Sequence, residues 1–202
     1  MIRGLSAPGP QAPWLRDLDA DLPAGVHLVT GEEGCGKTTL LRLLAADLGA
    51  AAGHMQLGPH RMPGDAGAWQ REVFRVDMGD PSFDGLTPRA FIDRLAPRHP
   101  RFCQAHCLAL LDPAGLTPHM DKQMFMLSAG SRRKVGLVAA FASGAALTLL
   151  DQPLAALDAP STRWLLGLLS EQAARRQRIW VVADHEAPAG VPLASTWTLA
   201  GP

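Results

Sequence analysis

The run Gly31-Glu32-Glu33-Gly34-Cys35-Gly36-Lys37-Thr38 constrains this chain more than any other stretch. It fits G-x-x-x-x-G-K-[ST], and each residue type has a chemical reason. Glycines let the backbone curl so that successive N–H groups point inward at phosphate oxygens. Lys37 supplies a mobile cation for β- and γ-phosphates, and the Thr38 hydroxyl can ligate Mg²⁺. Without a ligand, Lys37 is expected to face solvent. About 0.002 accidental matches are expected from this composition. The context also agrees. The apolar run 25–30 reads as a buried strand, and 38–48, with leucines at 40, 41, 43, 44 and 48 and Gly49 beyond, reads as a helix with a C-terminal stop. Its positive N-terminal end would face the anion. Cys35 reads as a small residue tolerated at a variable position, or as a thiol that the helix N-terminus activates for redox control.

The rest of the chain alternates. Strands are expected at 72–77, 146–151, 178–183 and 195–200, and helices at 88–95, 101–111, 131–141 and 159–175. Pro88 stands at the favoured first helical position. The apolar run 146–151 ends in a carboxylate, as a central parallel strand should. The first dozen residues, with Pro8 and Pro10, read as irregular. Alternation at both ends and a helical middle predict an α/β domain with a parallel-sheet core and a small inserted helical subdomain. The whole of 1–202 forms one domain on this reading, with the core at about 14–87 and 143–202 and the helical part at about 88–142. A chain of 202 residues, 47% of them hydrophobic, is long enough to bury one sizeable core.

Composition removes several classes of function. Formal net charge is zero, so nothing draws the chain globally toward nucleic acid or anionic lipid. No apolar run approaches the roughly 20 residues that a membrane span needs, and the N-terminus lacks a signal-peptide core. A cytoplasmic protein is expected, its three cysteines too few for a disulfide framework. His99, Cys103, His106 and Cys107 could bring a metal to one helix face, but the spacing matches no zinc pattern and an amphipathic helix explains it.

Four further stretches fix a family. Leu127-Ser128-Ala129-Gly130-Ser131 resembles the signature of ABC-type ATPases, usually LSGGQ, with Arg132, Arg133 and Lys134 continuing its helix. The run 146–151 is similar to a Walker B strand, Leu157-Asp158 looks like the end of a D-loop, and His185 stands where the switch histidine belongs. All occur in the family's order, so residues 15–200 resemble the ATP-binding subunit of an ABC transporter. The resemblance implies a P-loop NTPase fold of ABC type and binding of ATP with Mg²⁺. Nucleotide would lie on Gly31, Glu32, Glu33, Gly34, Cys35, Gly36, Lys37, Thr38 and Thr39, and be met by Ser128, Ala129 and Gly130 of a second cassette packed head to tail. Thr38 and Asp151 would hold the metal, and Lys37, Asp151, Gln152 and His185 would serve catalysis. The partners implied are that second cassette, in a homodimer or heterodimer, and an integral membrane permease engaged through the groove near 78–90. Nucleic acid is not among them. The subunit would then lie peripherally on the inner face of the cell membrane.

The departures from the family pattern carry information too. Gln152 replaces the glutamate that polarises the attacking water, and an amide cannot accept a proton, which costs about 10²–10⁴ in rate. Slow hydrolysis is therefore expected, the alternative being a degenerate ATP-binding module with little or none. No glutamine follows the strand at 72–77; Asp80, before Pro81, is the nearest candidate to meet the metal or the water in its place. Trp14 is the only ring near the first core strand that could stack on adenine. Small size and the LSAG form look most like the haem exporter of cytochrome c maturation.

Overall fold

The computed structural model describes residues 1–9 and 15–200. Two sheets organise it. β1 (Ile2–Ser6), β2 (Leu18–Ala20), β4 (Ala52–Leu57) and β5 (His60–Met62) pair antiparallel in the order β2-β1-β4-β5. The second sheet is entirely parallel and runs β6 (Val73–Phe74), β7 (Leu147–Asp151), β8 (Ile179–Ala183), β3 (Gly25–Thr30), β9 (Leu193–Thr198). This is the parallel core expected from the alternating pattern. The antiparallel sheet was not expected: residues 2–6 form a strand where an irregular segment was read. Ile2 and Leu5 are buried and the residues between them half-buried, and Gly4 and Gly53, both at positive φ, break the period-2 signal.

Alternation along the parallel strands sends side chains to two faces. Leu147 and Leu149 of β7, Val181 and Ala183 of β8 and Val29 of β3 join a core with Leu40, Leu41, Leu43 and Leu44 of α1 (Lys37–Leu44) and with Ile2, Leu5 and Met55 of the antiparallel sheet. Leu150, Trp180, Val182 and Val26 point the other way. There they meet Leu165 and Leu169 of α6 (Ala159–Arg175), and helices α3 (Pro88–Leu95), α4 (Gln104–Leu111) and α5 (Ala129–Ala142).

Helix ends follow local chemistry. α3 starts after Thr87, whose hydroxyl accepts from Ala90 N at 3.1 Å, and α6 after Asp158, whose carboxylate accepts from Ser161 N at 2.9 Å. α1 stops at Leu44 rather than at 48, because Ala46 adopts a left-handed φ of 60°. A further helix, α2 (Ala66–Glu72), occupies a stretch with no helical expectation, and the strand expected at 72–77 shrinks to Val73–Phe74.

The C-terminal end of α5 is fastened to the sheet by Arg178, just ahead of β8. Its guanidinium donates to Ala145 O at 2.6 Å, to Thr148 Oγ1 at 2.7 Å and to Ser143 Oγ at 3.1 Å, with the Ala140 and Phe141 carbonyls at 3.3 Å. The guanidinium carbon lies 4.6 Å from the Trp180 ring centroid, and Trp180 stacks on Phe141. Burial pulls this guanidinium down to about 10. The last carbonyls of a helix carry partial negative charge, which is what a buried cation needs.

Candidate functional site

The carboxyl ends of β3, β7 and β8 lie side by side, since the register sets Val29 opposite Ala183 and Ala183 opposite Asp151. In an open parallel sheet this edge is where ligands bind. β3 runs out at Thr30 into the glycine-rich loop, β7 ends in Asp151, and β8 leads through Asp184 to His185.

The loop takes the shape its glycines permit. Gly31, Gly34 and Gly36 have φ of 148°, 78° and 97°, a region closed to most side chains. A Cβ at Gly31 would also lie 2.7 Å from Leu199 O. Gly36 begins α1 with no side-chain cap, so the first-turn N–H groups stay open to an anion. Glu32, Glu33 and Gly34 form an exposed crest, and Thr39 is half-buried on α1.

Lys37 does not face solvent. It is 6% exposed, and Nζ donates to Gly31 O at 2.6 Å and Glu32 O at 2.8 Å. An ammonium has three donors and no acceptor; here it turns to the nearest carbonyls and buries its stem. Cys35, 1% exposed, packs into the apolar cluster beneath the loop with Sγ 3.8 Å from Lys37 Nζ.

Thr38 Oγ1 donates to Asp151 Oδ2 at 2.7 Å. A hydroxyl and a carboxylate side by side are a hard oxygen donor pair, which suits Mg²⁺. Gln152 follows with a left-handed φ of 43° and its N–H on Ala183 O at 2.8 Å, so the chain turns sharply after β7. His185 is exposed; its main-chain oxygen accepts from Thr30 Oγ1 at 2.9 Å, which ties the strand end to the start of the loop.

A cavity of about 390 Å³ opens beside this pair. Thr38, Asp151 and Gln152 line one side, Asp77 and Met78 another, and Ala129, Arg132, Arg133 and Gly136 of α5 the third. The acidic wall residue from the segment after β6 is Asp77, not Asp80. The Asp80 carboxylate accepts from Ser82 N at 2.8 Å, which holds it below the usual carboxylate range, and its main-chain oxygen accepts from Arg132 at 2.7 Å. Asp80 is thus held in a turn and does not line the cavity. Asp77 was missed because no residue type or spacing marks it; only the fold brings it to Thr38 and Asp151.

Ser128 is the N-cap of α5, accepting from Ser131 N at 3.1 Å. Gly130 lies so close to Ala156 O that a Cβ would collide with it, and Arg133 donates to Ala155 O. The start of the signature helix is therefore packed on the turn 153–158. Ser128 and Ala129 stay exposed. Trp14 lies outside the described residues. His99 is buried against Phe74 with its ring on Arg71 O, and burial pushes the Cys107 thiol up to about 11. Among the described residues no three His, Cys, Asp or Glu side chains converge to hold a metal.

The profile of the ABC transporter family matches residues 15–155. Over 199 residues the chain is 33% identical to the taurine import ATP-binding protein TauB of Pseudomonas entomophila, covering 96% of this chain and 75% of that one. It is 32% identical over 191 residues to the aliphatic sulfonates import ATP-binding protein SsuB of Rhodopseudomonas palustris, covering 89% of this chain and 63% of the relative. Among solved structures, an ATP-binding subunit of an ABC transporter superposes with a TM-score of 0.76 at 20% identity, over 90% of this chain and 78% of that one. A bacterial ABC transporter cassette solved as a dimer gives 0.77 at 17% identity, over 92% and 87%. These structures share the fold. The two named relatives are import subunits, so the likeness to a haem exporter, drawn from size and the LSAG form, finds no support in them.

Proposed function

The chain belongs to the ABC transporter family as an ATP-binding subunit, and we propose that it binds Mg·ATP on the loop 31–39 and hydrolyses it slowly to drive an importing permease. The observation that carries this reading is the Thr38–Asp151 pair, set at 2.7 Å beside a loop whose glycines and uncapped helix leave N–H groups free. Lys37 leaves Gly31 O and Glu32 O and turns to the β- and γ-phosphates. Thr38 and Asp151 would hold Mg²⁺, which would supply positive charge against those phosphates. His185, exposed at the end of β8, reaches the γ-phosphate.

Ser128, Ala129 and Gly130 complete the site of a second cassette. Ser128 presents its hydroxyl and the first N–H groups of α5 to the facing γ-phosphate, and the exposure of Ser128 and Ala129 supports this. The helical part, 88–142, moves against the core as a subdomain. The segment 78–90 receives the permease; Arg132, bound to Asp84 and to Asp80 O, braces it from α5. Among the described residues no helix is long and apolar enough to cross a membrane, so the permease is what holds the subunit at the inner face. TauB and SsuB are named for taurine and aliphatic sulfonates, and a small anionic nutrient is the cargo class we propose.

Gln152 favours a second reading, an ATP-clamped module with little hydrolysis. Light scattering with ATP and EDTA tests the common core of both: a monomer-to-dimer change in mass is expected, and no change removes the sandwich. Phosphate release then separates them.

A further inference from the structure

We propose that Asp77 accepts the proton of the water that attacks the γ-phosphate, the task Gln152 cannot perform. The proposal rests on the nucleotide site described above. Two acidic residues line the cavity together with Thr38: Asp151 and the exposed Asp77. Asp151 is engaged with Thr38 and is committed to the metal side. Asp77 has no such commitment. Its Oδ1 accepts from Gly79 N at 2.9 Å, a turn like that of Asp80, and among the described residues no hydrogen bond reaches Oδ2.

The segment carrying Asp77 is braced on three sides. Arg75 pairs with Asp47 at 2.8 Å. Met78 fills the space above Gly136 of α5 so closely that a Cβ there would come within 2.6 Å of it. Arg132 holds Asp80 O. The cations that line the same cavity are occupied elsewhere: Arg75 by Asp47, Arg132 by Asp84, and Arg133 by Ala155 O. None of them pairs with Asp77.

The step balances. The water oxygen forms a bond to Pγ, the bond from Pγ to the bridging oxygen breaks with its electron pair leaving on ADP, and the water proton passes to Asp77 Oδ2. Solvent takes that proton after phosphate leaves. Positioned proton transfer of this kind is worth about 10²–10⁴ in rate.

Asp77→Asn tests it, since the amide preserves shape and the bond from Gly79. Titration with a fluorescent ATP analogue should give unchanged affinity. Phosphate release should fall about 100-fold, and the ATP-bound dimer, followed by light scattering, should persist correspondingly longer. Adding Gln152→Glu to Asp77→Asn should restore release, because a carboxylate is then back in the cavity. Release at the unaltered rate in Asp77→Asn, loss of ATP affinity in it, or no rescue in the double variant would each overturn the proposal. An unaltered protein that binds ATP without releasing phosphate overturns it as well; one that does not bind ATP removes the nucleotide site itself.

Discussion

The ammonium of Lys37 donates to the main-chain oxygen of Gly31 at 2.6 Å, so the cation closes the loop on itself. The group that would hold phosphate thus also ties the two ends of the loop together. Lys37→Ala should lower ATP affinity at least tenfold. It should also lower stability by about 1–3 kcal/mol, because Gly31 O and Glu32 O lose a charged donor. Calorimetric titration and thermal melting read the two effects separately; ATP affinity like that of the unaltered protein would count against the loop as the nucleotide seat.

Ser128 has two duties that one substitution can separate. Ser128→Arg removes the cap of α5, a cost of about 1 kcal/mol, and sets bulk where the facing phosphate would lie. ATP-dependent dimerisation should disappear while the melting temperature falls only slightly. Ser128→Asp keeps a capping oxygen and should still block dimerisation, by charge. Dimers formed by either variant in light scattering would contradict contact in trans.

Gln152→Glu restores a carboxylate of nearly equal volume beside Asp151. A glutamate there adds a second proton acceptor beside the one Asp77 supplies, so phosphate release should rise about tenfold or more, within the usual reach of general-base assistance, and the ATP-bound dimer should become shorter-lived. Steady-state release from the two proteins decides the matter. A flat rate would mean that the amide is not what limits turnover.

His27 predicts a pH effect on stability. It is 1% exposed in β3, with Nε2 2.7 Å from Pro23 O and Nδ1 2.7 Å from Ser195 Oγ. A carbonyl only accepts, so Nε2 carries the proton and Nδ1 accepts from the serine. Burial holds its pKa below the ordinary value. The unfolded chain then binds the proton more readily than the folded one. Stability is complete above the ordinary value of about 6.5 and declines as pH falls through it toward the lowered one. His27→Gln should flatten the fall in melting temperature between about pH 7 and pH 5. His99 and His106, lowered chiefly by burial as well, keep a residual slope. Parallel melting profiles for the two proteins would exclude His27 as the source.

The central strands β3, β7 and β8 were legible because strands buried on both faces read as unbroken apolar runs. The run 146–151 became β7, and 159–175 became α6 with the same bounds. The antiparallel sheet was not legible: β2 and β5 are three residues each, and glycines interrupt β1 and β4. Within the site, residues joined to a local motif could be named in advance, Lys37 and Thr38 by the loop and Asp151 by its strand. Asp77 could not be named. It belongs to the site only because β6 lies beside β7 in the sheet, and pairing across more than 70 residues leaves no local mark. The inward turn of Lys37 was equally hidden, since it depends on which carbonyls the folded loop happens to present.

The joint at Arg178 has one more implication. Its charge is met by carbonyl and hydroxyl dipoles and an indole ring, not by a carboxylate. Mobile ions screen exposed ion pairs within about 8–10 Å at moderate ionic strength. They have less access to a half-buried guanidinium beneath a helix end. Surface pairs such as Arg89–Asp121 and Arg3–Asp21 should loosen as salt rises, while the attachment of α5 to the sheet stays as tight in brine as in dilute buffer.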